Sequence, residues 1–153
     1  MMLQKISLSA LALLLGTALP ATQAQTQTTP PTQVQVARQF LQAVLRADYP
    51  AAYGLLDASV TQRITAARFA EVMRPVHAQA QHFGPGFDLY KLGLRLGEGG
   101  SVRYFCAFTF KKDTLAGAPH LQLDVSFRDS VATRVLYFTP VPARPGQPSL
   151  PLP

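Results

Sequence analysis

The stretch YKLGLRLGEGGSVRYFCAFTF, residues 90–110, decides the fold, because apolar side chains recur at every second position on both sides of a glycine-rich turn. This alternation predicts two β-strands. The turn Gly97-Glu98-Gly99-Gly100 supplies residues that tolerate positive φ, as a hairpin loop with a bulge requires. The residues expected to face inward are Tyr90, Leu92, Leu94 and Leu96 on the first strand and Val102, Tyr104, Cys106, Phe108 and Phe110 on the second.

Two more strands are predicted after this hairpin. Residues 111–119 form a longer, less regular loop, and residues 121–127 then alternate Leu121, Leu123, Val125 and Phe127 with polar side chains. Asp129-Ser130 forms a turn, and residues 131–139 form the last strand. Four strands in sequence predict an antiparallel meander.

Helical periodicity is confined to the chain before Gly84. Thr32 with Gln35 predicts a capping box, Pro50 suits the first turn of a second helix, and Thr65 caps a third. Residues 59–63 are expected to be a connector, and Pro75 to kink the third helix or end its regular part. The three apolar stripes are Ala37, Phe40, Leu41, Val44 and Leu45; Ala52, Tyr53, Leu55 and Leu56; and Phe69, Val72, Met73, Val76 and Ala80.

Amphipathic helices that precede a meander predict an α+β domain in which three N-terminal helices pack on one face of a curved four-stranded antiparallel sheet. By the same alternation, four apolar residues are expected to face the other side of the sheet: Phe105, Ala107, Leu136 and Phe138. They predict an outer apolar patch that a second subunit covers, or else scattered exposed hydrophobic side chains. A homodimer through the outer sheet face is therefore one expected assembly.

The chain begins like an exported precursor. Residues 1–24 combine Lys5, an apolar stretch over residues 6–19 and small residues up to Ala24, which predicts a cleavable signal peptide. The stretch is shorter than the roughly 20 residues of a membrane span, which disfavours the alternative of an uncleaved membrane anchor. The predicted order is signal peptide 1–24, polar linker 25–31, domain 32–141 and a disordered Pro-rich tail 142–153, in a secreted or periplasmic protein.

Composition narrows the possible functions. Lys and Arg number 14 against 8 acidic residues, a net charge of +6, and they are spread along the chain. Without tryptophan or a recognisable binding module, the sequence does not predict nucleic-acid binding. Cys106 is the single cysteine, so no internal disulfide or zinc framework is expected. The histidines His77, His82 and His120 lack metal-ligand spacing, and we expect no metal and no cofactor.

Two stretches resemble a known superfamily. Residues 40–53, FLQAVLRADYPAAY, combine an apolar helix, an Ala-Asp-Tyr turn and a second helix. Residues 121–129, LQLDVSFRD, are followed by the closing strand VLYFTP at residues 135–140. Together they resemble nuclear-transport-factor-2-like domains, in particular an uncharacterised bacterial exported branch also found ahead of α/β-hydrolase domains. One departure is Asp129-Ser130, where that branch usually carries a glycine-lysine pair. The resemblance implies a cone whose open end holds a small apolar molecule.

These expectations favour a non-catalytic exported domain that binds a small apolar ligand in the cone or a protein through the sheet. The candidate cone-lining residues are Tyr53, Phe69, Met73, His77, Tyr90, Tyr104, Phe108 and Tyr137. A closed core made of the same residues is the alternative. The other alternative is a small enzyme of the ketosteroid-isomerase or hydratase type, which needs an inward carboxylate. Asp88 is the best candidate for that carboxylate.

Overall fold

The computed structural model describes residues 30–114 and 119–142. This part of the chain is an α+β fold in which four helices precede an open four-stranded antiparallel sheet of order β1-β2-β3-β4, and a fifth, one-turn helix lies in the predicted loop between the second and third strands. The predicted signal peptide, residues 25–29 of the linker and residues 143–153 of the tail lie outside the described residues. The helices are α1 Gln33–Leu45, α2 Tyr49–Gly54, α3 Ala58–Thr61, α4 Ala66–Ala80 and α5 Lys111–Thr114. The strands are β1 Phe87–Leu96, β2 Val102–Phe110, β3 Leu121–Phe127 and β4 Tyr137–Pro142.

The predicted helix caps are confirmed. The Thr32 hydroxyl accepts a hydrogen bond from the amide of Gln35 at 3.3 Å, and the Gln35 side chain accepts one from the Thr32 amide at 2.7 Å. Thr65 caps α4 in the same way through the amide of Arg68, at 3.2 Å. Each cap satisfies an amide that the first helical turn leaves without a partner. Helices α1 and α4 therefore begin directly after Thr32 and Thr65.

Two details of the helical region differ from expectation. The predicted connector at residues 59–63 overlaps the one-turn helix α3, which the Asp57 carboxylate caps by accepting a hydrogen bond from the amide of Ser59 at 2.9 Å. Helix α4 continues past Pro75 to Ala80, so of the two alternatives predicted for Pro75, a kink or an end, the end does not occur. Val72 in its predicted stripe is 44% exposed, whereas Phe69 and Met73 are buried.

A β-bulge divides β1 into two parts. Leu89 pairs with Phe108 and Lys91 with Ala107, so Tyr90 is an extra residue that shifts the alternation. Tyr90 was expected to face inward with Leu92, but it lies at the bulge and is 51% exposed. The residues facing the helices are therefore Phe87 and Leu89 before the bulge and Leu92, Leu94 and Leu96 after it.

The core lies between the helices and the two central strands. Phe108 on β2 and Leu123 on β3 are fully buried. The ring of Phe40 on α1 lies 6.3 Å from that of Phe69 on α4 and 5.5 Å from that of Phe138 on β4. The prediction that Phe138 faces outward is therefore wrong.

The start of β4 accounts for the change in the direction of Phe138. The strand begins at Tyr137, not at Val131, and Val135 forms a separate bridge to Leu56 beside the helices. This bridge interrupts the alternation that the sequence suggested. Tyr137 consequently pairs with Ser126 on the outer face, and Phe138 pairs with Val125 on the helix-facing side.

The far half of β1 faces the helices without being covered by them. Leu92, Leu94 and Leu96 pair with Cys106, Tyr104 and Val102, yet they are 61%, 58% and 82% exposed. The hairpin extends beyond the area that the helices cover, and its leucines are left bordering an open space. No helix in the described ranges combines the length and hydrophobicity needed to cross a membrane.

Candidate functional site: an apolar groove beside strand β1

A groove of about 760 Å³ lies between the beginning of α1, the hairpin of β1 and β2, and the segment after β3. Three parts of the chain form its walls, and each contributes apolar side chains. The apolar lining includes Pro31, Val34, Leu92, Leu94 and Val131. The exposed half of β1 is thus one wall of a concave apolar surface.

The wall opposite the hairpin is held by a short polar network. The Gln33 amide group on α1 donates hydrogen bonds to the carbonyl oxygens of Asp129, at 2.6 Å, and Ala132, at 2.9 Å. The Asp129 carboxylate accepts hydrogen bonds from the amides of Val131, at 2.9 Å, and Ala132, at 2.8 Å. These bonds fix the segment that carries Val131 against the start of α1, so this wall is built before any ligand arrives.

The lining is uncharged throughout the described ranges. Its polar side chains come from Thr32, Gln33, Tyr104, Ser130 and Thr133. Gln33 and Thr32 already bond to neighbouring backbone groups. The hydroxyl of Tyr104, by contrast, makes no hydrogen bond to another described residue, so it remains available for a polar group of a ligand or for water.

Cys106 also borders the groove, next to Leu92 in the sheet, and is 2% exposed. Burial raises the pKa of its thiol from the usual 9.0 to about 11. The thiolate, not the thiol, is the nucleophilic form. At neutral pH this side chain is therefore an apolar part of the wall, as the sequence predicted for a buried cysteine.

Of the eight predicted cone-lining residues, Tyr104 lines this groove. Phe69, Met73 and Phe108 are buried in the core, at 4%, 7% and 0% exposure. Tyr53 packs against Phe69, with ring centroids 5.8 Å apart, and its hydroxyl donates to the carbonyl oxygen of Ile64 at 2.8 Å. That hydroxyl is satisfied by the protein itself.

The remaining three predicted residues lie elsewhere. His77 Nδ1 lies 3.1 Å from the carbonyl oxygen of Leu45 and joins α4 to the end of α1. Tyr90 is beside the Lys91 ammonium at the bulge, with 5.4 Å between the nitrogen and the ring centroid. Tyr137 is on the outer face under the Arg103 guanidinium, at 4.7 Å.

Asp88 and Asp124 lie away from the groove. Asp88 pairs with Thr109 in the sheet, on the opposite face from Phe87, and its side chain is 62% exposed and 3.6 Å from the Lys111 ammonium. Asp124 is buried on the outer face, where Arg95 and Gln122 donate hydrogen bonds to it. Among the described residues, no three His, Cys, Asp or Glu side chains are grouped so as to hold a metal ion.

Sequence reasoning missed most of the groove. It assigned Pro31 to a linker and Val131 to a strand, and it placed Leu92 and Leu94 on the inward face without naming them among the cone-lining residues. A weak signal was present, because Val131 is an isolated apolar residue directly after a polar turn.

No protein-family model, curated protein or solved structure matches this chain. The geometry of the groove is therefore the basis for a functional proposal.

Proposed function

We propose that this chain is a binding protein that takes a small, uncharged and mainly apolar molecule into the groove beside β1. The observation that carries the proposal is a groove of about 760 Å³ whose described lining residues include no charged side chain and two widely exposed leucines. Ligand pockets in proteins are typically about 300–1,000 Å³, mainly apolar and supplied with few polar groups. The groove falls within this description.

Burial of the exposed leucines is the main source of the expected affinity. Leu92 and Leu94 are each more than half exposed, and completely burying a leucine side chain is worth about 1.5–3 kcal/mol. A ligand that covered both would gain roughly half of that value from each. An ionised group inside the groove would find no opposite charge among the described lining residues, and desolvating it would cost several kcal/mol.

The resemblance to nuclear-transport-factor-2-like domains is compatible with this proposal. The α+β order and the four-stranded antiparallel sheet suit such a cone. We infer that the groove is the counterpart of the open end of the cone. The ketosteroid-isomerase type of enzyme would require a carboxylate there, and the described lining contains neither Asp nor Glu. Binding is therefore favoured over proton transfer.

We further infer that the chain acts outside the cytoplasm after cleavage behind Ala24. Expression in a bacterial host with the native leader, followed by intact-mass measurement of the exported chain, tests this inference. A mass corresponding to residues 25–153 supports it. A full-length mass in the membrane fraction contradicts it.

Titration of the exported chain with N-phenyl-1-naphthylamine, an uncharged fluorescent probe, tests the groove. We expect saturable binding that Leu92→Glu and Val131→Glu each weaken by at least about tenfold, a change of about 1.4 kcal/mol. Val72→Glu is the matched control, because Val72 is an exposed apolar residue on α4 that does not line the groove. Absence of saturable binding, or equal weakening by all three substitutions, contradicts the proposal.

A further inference from the structure

Strand β1 is a free edge of the sheet with an unusually apolar surface. It is the first strand in the order β1-β2-β3-β4, and it has a neighbour on one side only within the described chain. Nine large hydrophobic residues are exposed in the described part of the chain, and five of them lie on this strand: Leu89, Tyr90, Leu92, Leu94 and Leu96. Long apolar edge strands are templates for pairing with another chain.

The other edge of the sheet is protected against such pairing. Strand β4 has six residues, two of which are Pro140 and Pro142. Proline has no amide hydrogen to donate to a neighbouring strand, so it blocks extension of a sheet. Strand β1 has ten residues and no proline. The two edges thus differ in their capacity to accept a further strand, and β1 is the open one.

We propose that a second copy of this chain pairs with β1 through its own β1, antiparallel and around a two-fold axis at Leu94. The regular part of β1 lies between two irregular points, the bulge at Tyr90 and the turn that begins at Gly97. Residues 91–96 are therefore the regular stretch available for a ladder, and their midpoint lies between Gly93 and Leu94. An axis at Leu94 pairs residues 92–96 with their copies, and an axis at Gly93 pairs residues 91–95.

Charge supports the register with the axis at Leu94. With Leu94 opposite its own copy, Leu92 faces Leu96 of the second copy on the helix-facing side. On the outer side Arg95 then faces Gly93, and Lys91 lies beyond the paired residues. A shift of the axis to Gly93 would place Lys91 opposite Arg95, and an axis at Arg95 would place Arg95 opposite itself. Like charges directly opposite each other destabilise a strand pair, so both of these registers are disfavoured.

This pairing covers the flank of the exposed leucines and leaves their groove-facing surface open to a ligand. Residues directly opposite in an antiparallel pair lie on the same face of the sheet. The leucines of both copies therefore form one cluster, and the two sheets join into a continuous sheet of eight strands. Leu92 and Leu94 also line the groove, so the second copy supplies apolar atoms along the open side of each groove. The pairing itself does not depend on the proposed ligand.

Sedimentation velocity of the exported chain over a range of concentrations tests the pairing. We expect a reversible dimer whose association constant falls by at least about tenfold with Leu94→Lys, which places two ammonium groups opposite each other. Val72→Lys is the control for added charge at an exposed apolar site and should leave the dimer unchanged. A mixture of Leu94→Lys and Leu94→Glu chains should restore association, because the two substituted side chains then attract.

A cross-linking measurement tests the register separately. In a Cys106→Ala background, Leu94→Cys should form an intermolecular disulfide on mild oxidation, because the residue faces its own copy. Val72→Cys in the same background should not. A chain that stays monomeric at high concentration overturns the proposal. So does a dimer that Leu94→Lys leaves intact, since it would have to use another surface, such as the outer sheet face.

Discussion

The Arg95 guanidinium on β1 donates a hydrogen bond to the Asp124 carboxylate on β3, across the intervening strand β2. The Asp124 side chain is 1% exposed, and the Gln122 side chain donates a second hydrogen bond to it. The same guanidinium lies 4.8 Å from the ring centroid of Phe105. The outer face of the sheet is therefore covered by its own long side chains, and Ala107 beneath them is fully buried. The apolar patch expected on that face is not formed as predicted.

Replacing Arg95 by Met should lower the free energy of unfolding by about 1–3 kcal/mol, because it leaves a buried carboxylate without its charged partner. Urea denaturation measures this change. Arg68→Met is the control, since the pair of Arg68 with Glu71 is exposed on one helix and should contribute at most about 1 kcal/mol. Equal losses in the free energy of unfolding for the two substitutions would contradict a larger contribution from the buried Asp124 pair.

Gly93→Ala should destabilise the hairpin. A Cβ atom at Gly93 would lie 2.5 Å from Cε1 of Phe105, so the ring would have to shift from its position beside the Arg95 guanidinium. Such overpacking typically costs about 1–3 kcal/mol. Thermal unfolding measures this loss, and the Phe105→Leu substitution should recover part of it in the Gly93→Ala background.

Gly54→Ala provides the matched control for that experiment. Gly54 is the last residue of α2, and a Cβ atom there would meet nothing within 4 Å. Alanine favours a helix over glycine by up to about 1 kcal/mol, so this variant should unfold at the same temperature as the parent or higher. A larger loss at Gly54 than at Gly93 would contradict the steric explanation.

Asp113→Asn should weaken the connection between α5 and β3, particularly above pH 4. The buried Asp113 carboxylate accepts hydrogen bonds from the amide of Leu121 at 2.9 Å and from His120 Nδ1 at 2.6 Å. Burial alone would raise the pKa of Asp113, but these hydrogen bonds outweigh it and hold the pKa below its usual 3.8. We expect a loss of about 1–3 kcal/mol at neutral pH.

The pH dependence of this loss follows from the direction of the pKa shift. A carboxyl group whose pKa is lowered by folding stabilises the folded state above the unfolded pKa, and this contribution disappears as the pH falls through the folded pKa. The difference between the parent chain and Asp113→Asn should therefore shrink below about pH 4. Denaturation curves at several pH values measure it, and a difference that is constant down to pH 2 would contradict the assignment.

Cys106 should make the fold sensitive to alkaline pH. Its pKa is raised by burial to about 11, so above about pH 9 the thiol ionises in the unfolded chain before it ionises in the folded one. The free energy of unfolding should fall by up to about 2 kcal/mol as the pH rises from about 9 to about 11. Cys106→Ala, which has no thiol, should show a correspondingly smaller decrease. Parallel curves for the two chains would contradict the prediction.

The sequence predicted the helix caps, the hairpin and the order of the four strands because their signals are local, whereas the last strand, expected over residues 131–139, begins at Tyr137. Thr32 and Thr65 cap helices through amides three residues away, and the alternation of Leu121, Leu123, Val125 and Phe127 reports one buried face of a single strand. The glycine-rich turn at Gly97–Gly100 likewise identified the hairpin. Each of these signals depends on residues close together in the chain, so it can be recognised without knowledge of the tertiary structure.

The candidate site was poorly predicted because it depends on relations between distant residues. The Tyr90 bulge changes which residues of β1 face the helices, and Phe138 is directed inward after the bridge between Leu56 and Val135. Tyr104 was included among the candidates because of its parity on the strand, whereas its place on the groove also requires Val131 to be held at the start of α1. Parity alone could not supply that relation.

The amino-acid sequence by itself determined an α+β domain with helices ahead of a four-stranded antiparallel sheet, because caps, turns and apolar periodicity act over a few residues. Only the tertiary structure decided how much of the sheet the helices cover. Leu123 and Leu94 have the same alternating pattern around them, yet one is fully buried and the other is 58% exposed. The physical reason is that burial depends on which other element lies above a side chain, and that is a property of the folded chain as a whole.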